Sequence, residues 1–148
     1  MKKSFLATAF LFLLLMSSYA EIKTLGLRFA NPGYNSGSGA EVTFQSTMGK
    51  ANRLELDLGA YSQSFSLAAI LQWKWNLNQI GPGFAWYAGG GLSAGSYYGN
   101  NIGLGILGQI GIEYNFNIPL QISLDFRPSW NSYYSYYNGT GLSVRYRF

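Results

Sequence analysis

The chain has 148 residues, of which 18% are aromatic, 19 are glycine and only 11% are charged. This length fits one domain, but so little charge with so many aromatics and glycines is unusual for a soluble domain. Cysteine and histidine are absent. Their absence excludes disulfides and thiolate metal sites, and it removes the commonest general base and metal ligand.

The first twenty residues have the composition of an export signal. Two lysines precede an apolar run over residues 5–16, which is too short to span a bilayer. Small residues with cleavage-site spacing end at Ala20, so we expect a cleaved signal peptide over 1–20 and one domain over 21–148. Without the two leading lysines, 8 basic residues (10 minus 2) face 6 acidic ones. A net charge of +2 gives no reason to expect nucleic-acid binding.

The rest of the chain alternates between apolar and polar residues in strand-sized pieces. In the last piece Leu142, Val144, Tyr146 and Phe148 alternate with serine and arginine. Period-two alternation predicts strands with one face in a polar medium and one in an apolar medium. The predicted strands, in chain order, are 23–30, 40–48, 53–61, 65–77, 84–96, 102–116, 120–130 and 142–148.

Eight strands of this length predict an all-β fold, namely an eight-stranded antiparallel up-and-down transmembrane β-barrel. Counted from a periplasmic N-terminus, 49–52, 78–83 and 117–119 are periplasmic turns. The surface loops are then 31–39, 62–64, 97–101 and 131–141. Asn138-Gly139-Thr140 matches a glycosylation acceptor, but Asn-Gly in a surface loop favours a turn.

Eight aromatic residues on the apolar parity of four strands fall near the predicted periplasmic end. Aromatic side chains collect at membrane interfaces, so this co-location predicts an aromatic girdle. The alternative is the general preference of aromatics for strands. The predicted girdle consists of Trp73, Trp75, Phe84, Trp86, Tyr114, Phe116, Tyr146 and the terminal Phe148.

The opposite parity collects the charged residues. An eight-stranded barrel has an interior just wide enough for side chains, and an unpaired buried charge costs several kcal/mol. We therefore predict a lumen closed by ion pairs and hydrogen bonds, with Arg53 and Arg147 at strand ends either joining it or solvated. The predicted network consists of Arg28, Glu41, Glu55, Asp57, Lys74, Glu113, Asp125, Arg127 and Arg145.

Two patterns that suggest other chemistry are set aside. Residues 103–108 match GxGxxG, but another alternating stretch follows them instead of the helix that a dinucleotide site needs. Glu55 and Asp57 point the same way, and such a pair can raise the pKa of one carboxyl. The basic neighbours across the lumen favour an ion network instead, so we predict no catalytic residue, metal ligand or cofactor.

A cluster of tyrosines precedes the last strand. Tyrosine and serine make adaptable binding surfaces, so this segment is a candidate for contact with sugar, protein or the outer leaflet. The preferred alternative is an outer aromatic girdle with a self-packed loop. The candidate residues are Trp130, Tyr133, Tyr134, Tyr136 and Tyr137.

With these features the sequence resembles the small outer-membrane β-barrel proteins of Gram-negative bacteria, the porin-like group related to the membrane domain of outer membrane protein A. The resemblance covers the mature chain in pattern, and in motif only residues 86–92, 111–114, 118–120, 123–128 and 144–148. It implies residence in outer-membrane lipid and a C-terminal strand, ending at Phe148, that the barrel-assembly machinery reads. Catalytic barrels of this membrane use histidine, so the resemblance does not extend to them.

These observations lead to three hypotheses about function. The first is a monomeric, non-enzymatic outer-membrane barrel with a structural or surface-interaction role. The second is a narrow, porin-like channel for small solutes. The third is a soluble, lipocalin-like periplasmic barrel, in which the apolar face points inward and the polar face outward.

Overall fold

The computed structural model describes residues 22–31, 38–61, 64–96, 102–132 and 137–148. The predicted signal peptide lies outside the described residues. Eight antiparallel strands form a closed barrel, in which each strand pairs with the next and the last pairs with the first. The strands are β1 (Ile22–Asn31), β2 (Gly39–Thr47), β3 (Asn52–Tyr61), β4 (Ser64–Asn76), β5 (Phe84–Ser96), β6 (Ile102–Asn115), β7 (Leu120–Asn131) and β8 (Tyr137–Arg147).

The prediction of eight antiparallel strands is confirmed, and the strand bounds differ from the predicted ones by at most one residue except at the start of β8. The predicted turn at Asn138-Gly139 is wrong, because β8 already runs through these residues. Gly139 pairs with Arg127 of β7, and Gly141 pairs with Ala30 of β1. Period-two alternation is hard to read where the inward positions are glycine, which explains the five-residue error.

The start of β1, the end of β8 and three turns lie at one end of the barrel, here called the termini end. The turn after β2 is closed by the Met48 amide, which donates to the Asn52 carbonyl (2.9 Å). The turn after β4 is closed by a Leu77–Phe84 hydrogen bond (2.8 Å) and passes through Gly83 at φ +96°, a left-handed conformation that glycine adopts without strain. The opposite end, where β1 and β7 end and β2 and β8 begin, is called the loop end.

The barrel is polar inside and apolar outside. In β7 the inward residues Gln121 to Ser129 are buried at every second position, whereas the outward Leu124 is 57% exposed and Phe126 is 40% exposed. Among the described residues, nineteen polar or charged side chains are buried and only six hydrophobic ones. A soluble domain has the reverse distribution. One small apolar cluster, Ala68, Ile70 and Leu107, lies in the interior. Within the described part of the chain, no helix is long and apolar enough to cross a bilayer.

Candidate functional site

The candidate site is the charged interior of the barrel. All nine residues of the predicted network occupy inward positions, on seven of the eight strands. Eight of them are buried and Lys74 is half-buried. They share an interior because each lies on the polar parity of its strand, so the alternation that directs leucines outward directs these groups inward.

Glu55 of β3 is the centre of this interior. Its side chain is fully buried and accepts four hydrogen bonds. Oε1 accepts from Arg127 Nη2 (3.1 Å) and from Gln109 Nε2 (3.1 Å). Oε2 accepts from Arg145 Nη2 (2.9 Å) and from Gln45 Nε2 (2.7 Å). The donors come from four different strands, so one carboxylate ties together opposite walls of the barrel.

Arg28 of β1 forms a two-pronged pair with Asp125 of β7. Its Nε and Nη2 donate to the two carboxylate oxygens at 2.9 and 2.6 Å. Its third nitrogen, Nη1, donates to Glu41 Oε2 at 2.9 Å. Bidentate arginine–carboxylate pairs are among the strongest and most directional hydrogen-bonded pairs in proteins. This pair fixes the Arg28 guanidinium between two carboxylates.

Arg127 of β7 connects the acids of β2 and β3. Its Nη2 lies 2.8 Å from Asp57 Oδ2, and its Nη1 lies 3.5 Å from Glu41 Oε2. Together with its bond to Glu55 and the Asp125 Oδ1 atom 3.9 Å from its Nε, these contacts place one guanidinium among four carboxylates. Arg145 of β8 completes the cluster by donating to Ser123 (2.7 Å) and Thr43 (3.2 Å).

A second group lies nearer the termini end. Glu113 of β6 is fully buried, 2.6 Å from Arg53 Nη1 and 3.7 Å from Lys74 Nζ. The Arg53 guanidinium also donates to Gln72 and lies 4.7 Å from the centre of the Tyr87 ring. Arg53 is therefore buried and paired, and its interpretation as a solvated strand end is wrong. Arg147 is half-buried at the same end.

Sequence reasoning missed the neutral members of this interior. Buried glutamines carry hydrogen bonds between the charged groups; one chain runs from Gln72 to Gln109 (2.6 Å) and on to Glu55. Tyr61 donates to Glu41, and the Tyr87 ring is fully buried. The alternation of each strand could have identified them, because they occupy inward positions between outward apolar residues, as Gln72 does between Leu71 and Trp73. The missed members are Gln45, Gln72, Gln109, Gln121, Tyr61 and Tyr87.

The residues of the predicted aromatic girdle lie at the termini end, on or directly after β4, β5, β6 and β8. Trp75 and Trp86 pair across neighbouring strands, with stacked rings 4.4 Å apart. Phe84 and Tyr114 pair at 4.6 Å, and Tyr114 meets Phe116 edge-on at 4.7 Å. At the end of β8 the rings of Tyr146 and Phe148, the residue after the strand, are 5.1 Å apart. Trp73 is 42% exposed on the same outer surface.

The remaining predicted site residues are only partly described. Trp130 lies on the outer face near the loop end and is 46% exposed. Tyr133, Tyr134 and Tyr136 lie outside the described residues, and of Tyr137 only the backbone is described, as the first residue of β8. Phe148 is 73% exposed, and its amide donates to the Lys23 carbonyl at 3.0 Å.

Two cavities lie at opposite ends of the interior and share no lining residue. The one at the loop end has a volume of about 60 Å³ and touches Arg28, Glu41 and Arg127. The one at the termini end, here called the vestibule, has a volume of about 500 Å³. The ten largest fully buried side chains line neither cavity: Thr43, Glu55, Asp57, Ile70, Gln72, Tyr87, Glu113, Ser123, Ser143 and Arg145.

Chemically, this interior is built for pairing charges. Among the described residues, no group of three or more acidic side chains is arranged to hold a metal ion. Every carboxylate of the network instead lies within 4 Å of an arginine or lysine nitrogen.

No protein-family model matches the sequence, and no curated protein matches it either. Among solved structures, the fold is similar to the N-terminal β-barrel domain of Pseudomonas aeruginosa OprF. The two share 13% identity with a TM-score of 0.64, over 86% of this chain and 100% of that one. It is also similar to Neisserial surface protein A (NspA), with 14% identity and a TM-score of 0.61, over 86% of this chain and 96% of that one. The chain therefore has the fold of a small, outer-membrane-type eight-stranded barrel.

Proposed function

We propose that this chain is a non-enzymatic integral protein of the outer membrane, with a structural or surface-interaction role and a lumen closed by its charged side chains. The observation that carries the proposal is the inverted distribution of polarity. Charged groups fill the interior, and large apolar side chains cover the exterior. Such an arrangement is stable only when an apolar solvent surrounds the barrel.

The composition of the outer surface supports the proposal that lipid surrounds the barrel. Exposed leucine, isoleucine, valine or aromatic residues occur on all eight strands, for example Leu27 on β1, Leu58 on β3 and Ile106 on β6. Monomeric soluble proteins rarely expose a continuous apolar surface of more than a few hundred Å². Strands of 9 to 14 residues are long enough to cross a bilayer at a tilt. The lipocalin-like alternative needs an apolar interior, and the buried arginines and carboxylates oppose it.

The aromatic girdle supports a fixed position in the membrane. Its rings are apolar and lie on the outer surface, and Trp N–H and Tyr O–H groups can reach headgroups or water. Counted from a periplasmic N-terminus, the termini end and its girdle belong at the periplasmic interface. The C-terminal strand would then present Phe148 to the barrel-assembly machinery during insertion.

The packing of side chains in the interior supports the proposal that the lumen is closed. The ten fully buried side chains come from seven strands and line neither cavity. Arg28 from β1 and Arg127 from β7 add bonds across the same region. A solute crossing this layer would have to break several buried charge pairs at once, and separating even one such pair is costly. If the barrel is closed, only its exposed surfaces can interact with other molecules. A surface role agrees with the similar fold of NspA, which is named a surface protein.

The membrane assignment is tested by fractionation and gel mobility. The protein should fractionate with the outer membrane, require detergent for extraction, and migrate faster on a gel when unheated than when boiled. The faster band reports a folded barrel. Recovery of the folded protein in the soluble periplasmic fraction would contradict the assignment.

A narrow channel is the second candidate, because cavities enter the interior from both ends. Recording of ion currents across a planar bilayer distinguishes the closed barrel from the narrow channel. A closed lumen should give no steady openings from the wild-type protein. Steady openings whose conductance changes in Arg127→Gln or Arg145→Gln would show that ions pass these groups, and would replace the closed-lumen proposal.

A further inference from the structure

The vestibule at the termini end has the features of a binding site that the closed barrel itself does not need. Its volume of about 500 Å³ lies within the usual range for small-molecule sites, roughly 300–1,000 Å³. Most small-molecule sites are mainly apolar, whereas this one is lined mostly by amides, hydroxyls and cations, together with Phe84 and Phe148. The amide side chains come from four strands and one turn: Gln45, Asn76, Asn78, Asn115 and Gln121.

The charges around the vestibule are strongly one-sided. Among the described residues that line it, four are cations, namely Lys23, Arg53, Lys74 and Arg147, and none is an aspartate or glutamate. Glu113 lies just beneath the floor, where Arg53 and Lys74 reach it. Among the described residues, cations outnumber acids at this end even when Glu113 is counted with them.

The central network differs from this end. There the described carboxylates Glu41, Glu55, Asp57 and Asp125 meet Arg28, Arg127 and Arg145, so acids and bases nearly balance. Within the described part of the barrel, the surplus of positive charge therefore lies at the vestibule. A concave site with low-dielectric walls and one sign of charge concentrates counter-ions of the opposite sign.

We propose that the vestibule binds a small multivalent anion bearing phosphate groups. Cations would pair with the phosphate oxygens, and the surrounding amide N–H and hydroxyl groups would donate the remaining hydrogen bonds. The floor of the site is formed by Arg53, Gln45 and Gln121, each already hydrogen-bonded into the network. A ligand would therefore dock at a dead end without passing through the barrel. The inference does not rest on the membrane assignment, because the vestibule belongs to the barrel itself.

Calorimetric titration with inorganic pyrophosphate tests this proposal, using the mature protein folded in an uncharged maltoside detergent. Binding should be saturable, one to one, and weaker at high salt because charge attraction is screened. Lys74→Gln and Arg147→Gln should each weaken binding by about tenfold, since hydrogen bonds to charged groups are the stronger class.

Lys50→Gln is the matched control. Lys50 is exposed in the turn between β2 and β3 at the same end, but it does not line the vestibule. It should keep the wild-type affinity. No saturable binding by a folded wild-type barrel, or an equal loss in Lys50→Gln and Lys74→Gln, would overturn the proposal. Gel mobility establishes independently that each variant is folded.

Two sources could supply the phosphate, namely a soluble compound or a phospholipid headgroup reaching over the rim. Repeating the titration in nanodiscs separates them. If phosphatidylglycerol discs weaken pyrophosphate binding relative to phosphatidylcholine discs, and Lys74→Gln removes that competition, the headgroup is the ligand. Equal affinity in both discs assigns the vestibule to a soluble anion.

Discussion

At the scale of single residues, Glu55 is the acceptor on which the central network depends. Both of its oxygens are saturated, and two of the four donors are arginines. Glu55→Gln removes the charge and places an N–H₂ group among donors. Because two guanidinium groups lose a buried partner, we expect a loss of about 3–5 kcal/mol in the free energy of unfolding. Urea titration of the barrel in lipid vesicles, followed by tryptophan fluorescence, measures it.

Glu113→Gln is the matched comparison for that experiment. Glu113 is equally buried, but its partners Arg53 and Lys74 line the vestibule, where water can solvate them after the charge is lost. The loss should therefore be smaller than for Glu55→Gln. Equal losses would show that position within the barrel does not matter and that Glu55 has no special role.

Gly141 leaves room for the Arg28 guanidinium. A Cβ added at Gly141 would overlap that guanidinium, which Asp125 and Glu41 hold in place. Gly141→Ala should therefore displace Arg28 and cost about 1–3 kcal/mol, the usual range for overpacking. The same unfolding titration measures this loss.

Gly90→Ala is the control for Gly141→Ala. Gly90 faces outward on β5, and an added Cβ would lie 3.6 Å from its nearest neighbour, an ordinary contact. Its effect should stay within about 0.5 kcal/mol, as for most surface substitutions. A tolerated Gly141→Ala would mean that Arg28 moves without loss and that its place between two carboxylates is not important for stability.

The charged residues of the interior could be predicted from parity, but their partners could not. Alternation places Arg28 and Glu41 on the same side of neighbouring strands, where register sets them opposite each other. It does not show that Arg28 reaches across to Asp125, because that contact depends on barrel closure. Glutamines were missed for a related reason, since a neutral amide carries no charge whose burial must be compensated.

At the scale of the strand, Leu124 tests which medium the outer face meets. It lies on β7 between Ile112 of β6 and Leu142 of β8, and all three are exposed. Leu124→Arg should cost roughly 2–4 kcal/mol if this position faces the middle of a bilayer. Measurement of the folded fraction in vesicles against urea concentration gives this value.

Leu120→Arg provides the depth control on the same strand. Leu120 is the first residue of β7 and pairs with Tyr146 of the girdle. A cation there can reach the headgroups, so the cost should fall to about 0–1 kcal/mol. If both substitutions cost the same, the outer face does not have the depth profile of a membrane.

The strand bounds show where sequence patterning succeeds and where it stops. β5 begins and ends at the predicted residues, because its outward positions include Phe84, Trp86 and Leu92. β8 begins five residues early, because Gly139 and Gly141 hide the alternation and Asn-Gly is a strong turn signal. Gly141 leaves room for the guanidinium of Arg28, a residue far away in the sequence, and a local pattern cannot reveal such a contact.

At the scale of the whole molecule, the topology follows from a single physical choice. A strand with one polar and one apolar face, repeated eight times with short connections, can satisfy its backbone only by closing into a barrel. The sequence alone leaves open which face points inward, and the lipocalin-like alternative was the other solution. The balance of charges decides that the polar face points inward, because the five buried carboxylates and four buried arginines fit a narrow interior only as pairs.

The orientation of the molecule can be tested because the chain contains no cysteine, so any thiol label reports an introduced site. Ser38 is exposed at the loop end, and Lys50 is exposed in a turn at the termini end. With the aromatic girdle at the periplasmic interface, a membrane-impermeant maleimide should label Ser38→Cys on intact cells. It should label Lys50→Cys only after the outer membrane is permeabilised. The reverse pattern would place the girdle at the outer face, and equal labelling of both on intact cells would contradict a barrel that separates two compartments.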